Sequence, residues 1–475
     1  MRPTLVRPRG RHWGRWLTVL GVLLSIGLAA GWWAYGRIGR TPGELMDYAE
    51  LRLQGHTTLG AVALPIFGVL RDALHAPGVV DRRAMRFVVP APPPLESIGL
   101  AAISSLAMLD VPGGKVWRVG PTEALSTIDD AARLARTGDT VEVQSGVYRG
   151  DVAVWEQKQL TIRAVGGRAR LYADGRSAEG KAIWVIRRGD FTISGFDFIG
   201  ARVADRNGAG VRFEGGRLRV ADCFFWGNQN GILTIDSDPK SELEVVSSEF
   251  GYNGDGDGLS HNIYVGRLGR FTMTASYSHH ANVGHLLKSR AAISEVAYNR
   301  LTDEIGGLAS YELDFPDGGD VRVIGNLVQQ GPGTENSVML SYGAESLIHA
   351  SNRLVVASNT LVNDHPHGGT FVRAAPGTQA VRMANNLLVG RGGVQLPPMG
   401  AELNNPHVDW DVFVSAVRQD YRLKGASRSL LFERAGSLQD ESPLNEYSHP
   451  RRAVSLKQPP SFAGALQRSA EPLPP

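Results

Sequence analysis

VAYNRLT (296–302), VIGNLVQ (323–329), VASNTLV (356–362) and MANNLLV (383–389) are four versions of one phrase. Each places an asparagine two residues before an apolar residue: Asn299 and Leu301, Asn326 and Val328, Asn359 and Leu361, Asn386 and Leu388. Upstream, the apolar position recurs at Phe198, Phe225, Phe250 and Tyr277, with intervals from Phe198 to Leu388 of 27, 25, 27, 24, 27, 33 and 27 residues. A second strand-like segment follows each marker, at 210–213, 231–235, 262–265, 285–288, 310–313, 338–341 and 370–373. A unit this short cannot bury its own apolar face, so it must stack on its neighbours. Short strands separated by Gly, Asn and Asp, with little helix, make the stack a β-solenoid; propeller blades need ~40 residues. The variable interval places the extra residues in turns. The asparagine column reads as turn residues that bond one another and the backbone.

Composition agrees with this. The 57 glycines among 475 residues follow no triplet period and supply turns. Cys223 is the only cysteine, which excludes an intrachain disulfide and a cysteine-built metal site. It reads as a small core residue. The formal net charge of +3 is uneven. Arg2, Arg7, Arg9, Arg11 and Arg15 precede any acid, and removing these five from the 50 basic residues leaves 45 against 47 acidic. The body of the chain has no basic footprint for nucleic acid.

After those arginines, 17–35 is uncharged and long enough, at ~1.5 Å per residue, to cross the ~30 Å hydrocarbon core. The arginines favour a cytoplasmic N-terminus. The expectation is a basic cytoplasmic stretch over 1–16 and a single-pass inner-membrane signal anchor over 17–35, with the bulk of the chain on the periplasmic side. A helical spacer and Pro-rich linker (Pro90, Pro92, Pro93, Pro94) follow over 36–114, and a Pro-rich, disordered tail occupies 436–475.

The run LSTIDDAARLARTGDTVEVQSGVY (125–148) reads as a short amphipathic helix and then a strand. It looks like the entry cap of right-handed parallel β-helix proteins of the pectate-lyase-like superfamily, and DYRLKGASRSL (420–430) resembles the end of such chains. The resemblance covers about 115–435. It implies an all-β, right-handed parallel β-helix with an N-terminal capping helix. The superfamily includes lyases, glycoside hydrolases, uronan epimerases and non-catalytic proteins.

In a solenoid, one repeat along the chain is one strand over, ~4.8 Å away. Across 253–317 a period of 24 aligns Tyr264, Lys288 and Glu312, Arg290 with Asp314, and Asn262 with Ser310. Alternation puts Lys288, Arg290, Glu312 and Asp314 on one outward face. β-Elimination of a uronate polymer needs a neutralised carboxylate, a base for the C5 proton and an acid for the leaving oxygen. Lys288 suits the base, Arg290 the carboxylate and Tyr264 the acid. Asn262, Ser310, Glu312 and Asp314 are expected to bind substrate. His261 and His285, also 24 apart, should stack and could act as acid or base; His279 and His280 lie close in sequence. The same charges would equally make a salt-bridge ladder, Lys288 with Glu312 and Arg290 with Asp314. Alternatively, Glu304, Glu312, Asp314 and Asp317 could supply the acid and base of a hydrolase. Epimerisation, or glycan binding without catalysis during export or assembly, is also open. Asp255 and Asp257, in NGDGDG (253–258), alternate as calcium ligands would, although turn chemistry explains them equally well.

GHLLKSRAAISEVAYN (284–299) also looks like the lysine-bearing strand of the family containing chondroitinase B and alginate lyases. That resemblance carries over only Lys288. The family's arginine one rung later has no counterpart in GGLAS (306–310), which leaves Arg290 as the substitute. The partner implied is an acidic polysaccharide.

Overall fold

A computed structural model describes residues 87–95, 114–334, 336–424, 430–433 and 441–467. The expected membrane segment, its basic leader and most of the spacer lie outside the described residues. Among the described residues, no helix is long and apolar enough to cross a membrane.

Each turn of the chain contributes one strand to each of three faces, and the strands stack on one another in parallel from turn to turn. Gly189–Ser194, Phe196–Ile199 and Ala209–Phe213 are one such turn. The first two faces join through the long strands Thr140–Arg149 and Gln159–Tyr172, giving a 21-stranded sheet; the third is a 10-stranded sheet. The coil is therefore a parallel β-helix of about ten turns. Its core is a column of stacked side chains. Phe198, Phe225 and Phe250 lie ring on ring, with centroids 5.0 and 4.6 Å apart, close to the strand spacing.

The next member of that column is Ser278, not Tyr277, because Phe250 pairs with Ser278 and Ser278 with Leu301. Reading the column as uniformly apolar shifts the register by one residue here. Ser278 belongs inside because it accepts from Asn262 and donates to the Leu286 carbonyl.

The corner between the first two faces is built the same way repeatedly. Gly195, Asp222, Ser247, Ala275, Tyr298, Gly325, Ser358, Asn385 and Asn404 all have positive φ. A left-handed non-glycine residue costs roughly 1–2 kcal/mol. The next residue offsets this. Asn299 donates to Asn326, Asn326 to Asn359, Asn359 to Asn386 and Asn386 to Asn405, at 2.8–3.0 Å, while each Oδ1 also accepts the preceding rung's backbone N–H. Upstream, Ser276, Ser248 and Cys223 continue the column.

The helix spans Ile128–Leu134, shorter than the sequence suggests. Thr127 caps its N-terminus, and Gln157 Nε2 donates to the Ala132 and Ala135 carbonyls at the other end. It buries Ile128, Ala131 and Ala132 against the core at the first turn.

The coil's last paired strand is His407–Val408, after which Phe413–Ser415 and Asp420–Leu423 form an antiparallel pair. The tail is ordered where it is described. Asn445–Ser448 and Arg452–Ser455 form a hairpin, which Arg451 pins to Asp222 at 3.0 Å. Gly464 and Ala465 donate to the Asn385 carbonyl and to Thr360. Proline content concealed these anchors. Part of the Pro-rich linker is also docked: Trp226 donates to the Pro90 carbonyl, and Phe87 packs on Tyr252.

Candidate active site on the third face

Tyr264, Lys288, Asp314, Ser341 and Arg373 form one column on the third face, each paired with the next. Lys288 lies at a spacing of 24 from Tyr264 but 26 from Asp314. The turn through Gly306 and Gly307 is two residues longer than a constant period allows. Glu312 therefore does not join the column. It is buried, and burial together with nearby Asp303 pushes its carboxyl well above the usual range. The expected ladder of Lys288 with Glu312 and Arg290 with Asp314 is replaced by other partners.

Lys288 Nζ lies 3.6 Å from Asp314 and 3.5 Å from Glu345. Arg290 donates through Nε to the Tyr264 hydroxyl (3.2 Å), through Nη1 to Asp317 (2.7 Å) and through Nη2 to Glu345 (2.7 Å). Arg267 and Ser346 also bond Asp317. Arg373 donates to the hydroxyls of Tyr311 and Ser341. Burial pushes the Asp314 carboxyl up to about 6, with Lys288 working against it. Partial burial acts the same way on Glu345, but its bond to Arg290 and the nearby Lys288 hold that carboxyl below the ordinary value.

The histidines divide between two faces. His261 and His285 stack with centroids 4.4 Å apart beside Tyr264 and Tyr311. His261 Nδ1 accepts the His285 backbone N–H. Burial, then Lys288 and Arg290, depress His261 to about 3; burial, His261 and the same cations depress His285. Both rings are neutral at neutral pH and are weak bases. They pack beside the two tyrosines more readily than they move a proton.

His279 and His280 belong to the second face, where they share a 2.7 Å Nδ1–Nδ1 hydrogen bond. Glu304 sits there too, bonded to Tyr277, Thr302 and Arg300. It is therefore not a partner for Asp314 in hydrolysis.

Asn262 is interior, bonded to Asn253, Ser278 and the His279 carbonyl. Ser310 pairs through its backbone with Gly284, so the two do not align. Neither is placed to bind substrate in the groove as expected. Asp255 is held by Arg202, and Asp257 accepts from Leu259 and Ser260. The bonds of Asp257 are turn chemistry, and that of Asp255 is an ion pair. Among the described residues, no group of three or more His, Cys, Asp or Glu side chains could hold a metal ion.

Glu345, Tyr311 and Arg373 were not singled out from the sequence. The signal for Glu345 was the 33-residue interval, because the extra residues form the 343–352 turn that carries it. Tyr311 and Arg373 required the true register.

No family model matches this sequence, and no curated protein matches it. Similar solved structures include these three. Pectate lyase Pel9A is 14% identical with a TM-score of 0.46, over 75% of this chain and 98% of that one. Geobacillus virus E2 ORF18 is 12% identical with a TM-score of 0.32, over 60% and 55% of the two chains. The PL6 family alginate lyase AlyGC is 14% identical with a TM-score of 0.25, over 72% and 58%. By its own strand pairings the chain is a parallel β-helix, and its third face carries a cluster of two recessed cations, a phenol and three carboxylates.

Proposed function

We propose that this chain is a polysaccharide lyase that cleaves a uronate-containing polymer by β-elimination in the third-face groove. The observation that supports this most is Arg290. It binds a carboxylate through one nitrogen and the Tyr264 phenol through another, and the Lys288 amine is two residues away on the same face. A uronate carboxylate held by Arg290 would carry less charge, which acidifies the adjacent C5–H. Lys288, paired with carboxylates in the free protein, must release its own proton to solvent before it takes that one, and Asp314 stabilises the ammonium formed again. The C5–H electrons become the C4–C5 double bond as the C4–O bond breaks, and Tyr264 donates its proton to the departing oxygen. Arg290 stabilises the resulting phenolate.

The test is incubation with uronate polymers while recording the ultraviolet absorbance of the unsaturated product. No absorbance change with any of them would refute elimination. Hydrolysis is the second reading, favoured by Asp314 and Glu345, a carboxyl with a raised pKa and one with a lowered pKa, both next to Lys288. New reducing ends without that absorbance would support it. We place the β-helix outside the cytoplasm, held at the inner membrane by 17–35. Recovery of the chain in the soluble fraction after alkaline extraction of membranes would refute the anchor.

A further inference from the structure

The contact between Glu345 and its two cations is not an ordinary surface ion pair. The Glu345 side chain is 52% exposed, whereas Lys288 and Arg290 are each 13% exposed. Its two oxygens are divided: Oε1 faces Lys288 Nζ at 3.5 Å, and Oε2 accepts from Arg290 Nη2 at 2.7 Å. An acid reaching in from solvent thus caps two recessed cations with one oxygen each. The other acids beside those cations are different: the side chains of Asp314 and Asp317 are 6% and 1% exposed. They are buried beside the two cations.

The backbone around Glu345 is fixed. The N–H groups of Glu345 and Ser346 both donate to the Pro316 carbonyl at 3.0 Å. Ser346 Oγ bonds Asp317, and His349 Nε2 bonds the Arg290 carbonyl. The turn is braced, and the Glu345 carboxylate alone is free to swing into solvent by rotation about its side-chain bonds. Once it leaves, Lys288 and Arg290 face solvent across a gap already sized for one carboxylate.

We propose that Glu345 occupies, in the free protein, the place of a ligand carboxylate, so that Lys288 Nζ and Arg290 Nη2 form a carboxylate subsite gated by this side chain. The proposal rests on the lyase reading for the identity of the guest, the carboxylate of a uronate residue. In a uronate, C5 is bonded to the carboxyl carbon. A guest seated as Glu345 is seated therefore presents its C5 proton beside Lys288. The gate also excludes neutral sugars, which cannot replace the lost charge on the two cations. Its effect is selectivity for acidic residues.

The test is binding, measured by titration calorimetry with galacturonate and with galactose. Glu345→Gln keeps the shape and removes the charge. It is expected to bind galacturonate about tenfold more tightly than the unaltered chain, about 1.4 kcal/mol, with galactose unchanged. The added affinity should vanish in the double variant Glu345→Gln/Arg290→Gln. Unchanged galacturonate affinity in Glu345→Gln, equal tightening for galactose, or no galacturonate binding by either protein would overturn the proposal. Glu345→Ala repeats the test without the amide, and near-ultraviolet circular dichroism shows whether each variant is folded. Because the readout is binding, the two readings fail separately. Tightened binding without cleavage of any polymer refutes the lyase alone; cleavage with unchanged binding refutes the gate alone.

Discussion

Asp303 offers a quantitative test of the interior. It lies in the turn that lengthens the Lys288–Asp314 spacing, fully buried, with Oδ2 accepting the Ala309 N–H at 2.9 Å. Burial pushes its carboxyl up to about 8 from 3.8. Between those values the folded chain keeps a proton that the unfolded chain releases, so stability falls as pH rises through this window and is level above it. At pH 7 the separation is about three units, worth roughly 4 kcal/mol at ~1.4 kcal/mol per unit. Asp303→Asn keeps the acceptor for Ala309 and abolishes the titration. Relative to the unaltered chain, the variant should gain nothing near pH 4, gain progressively to pH 8 and hold its advantage above that. At roughly 2 °C per kcal/mol for a long chain, the gain at pH 7 is about 8 °C. Thermal unfolding followed by circular dichroism from pH 4 to 9 measures it. A difference that does not vary with pH, or one that shrinks as pH rises, would refute the reasoning.

Lys288→Ala should lower the rate of uronate cleavage by about 10²–10⁴-fold, the usual range for a proton-transfer group, with an unchanged circular dichroism spectrum; a smaller loss removes Lys288 from the chemistry. Asn326→Ala removes the donor to Asn359 and Val296 and the acceptor for Asn299. It should destabilise the fold by about 2–4 kcal/mol in urea titration, because several buried groups lose partners. EDTA should leave cleavage unchanged, since Asp255 and Asp257 bond to protein donors. A loss restored by calcium would contradict that assignment.

The architecture was legible because stacking imposes one requirement at every rung. Asn299, Asn326, Asn359 and Asn386 repeat in sequence because each must meet the next in space. The column became unreadable where a polar residue served the same position: Ser278 satisfies Asn262, and the neighbouring Tyr277 looked the better match. The groove was harder to read because it depends on turn lengths, which no periodic pattern fixes. Two residues in the turn after Asp303 exchange Glu312 for Asp314 beside Lys288. Glu345 acts across 55 residues on Arg290, from a turn whose length alone marked it as unusual. The split of the histidines follows from the same cause, since the 280–287 segment carries the chain from the second face to the third.

Two columns that run along the coil rest on different chemistry. Phenylalanine rings hold Phe198 to Phe250, and amide-to-amide bonds hold Asn299 to Asn405. Ring stacking strengthens with warming toward its optimum as the hydrophobic effect does, whereas the amide chain is polar and directional. Cold and heat therefore load the two columns differently.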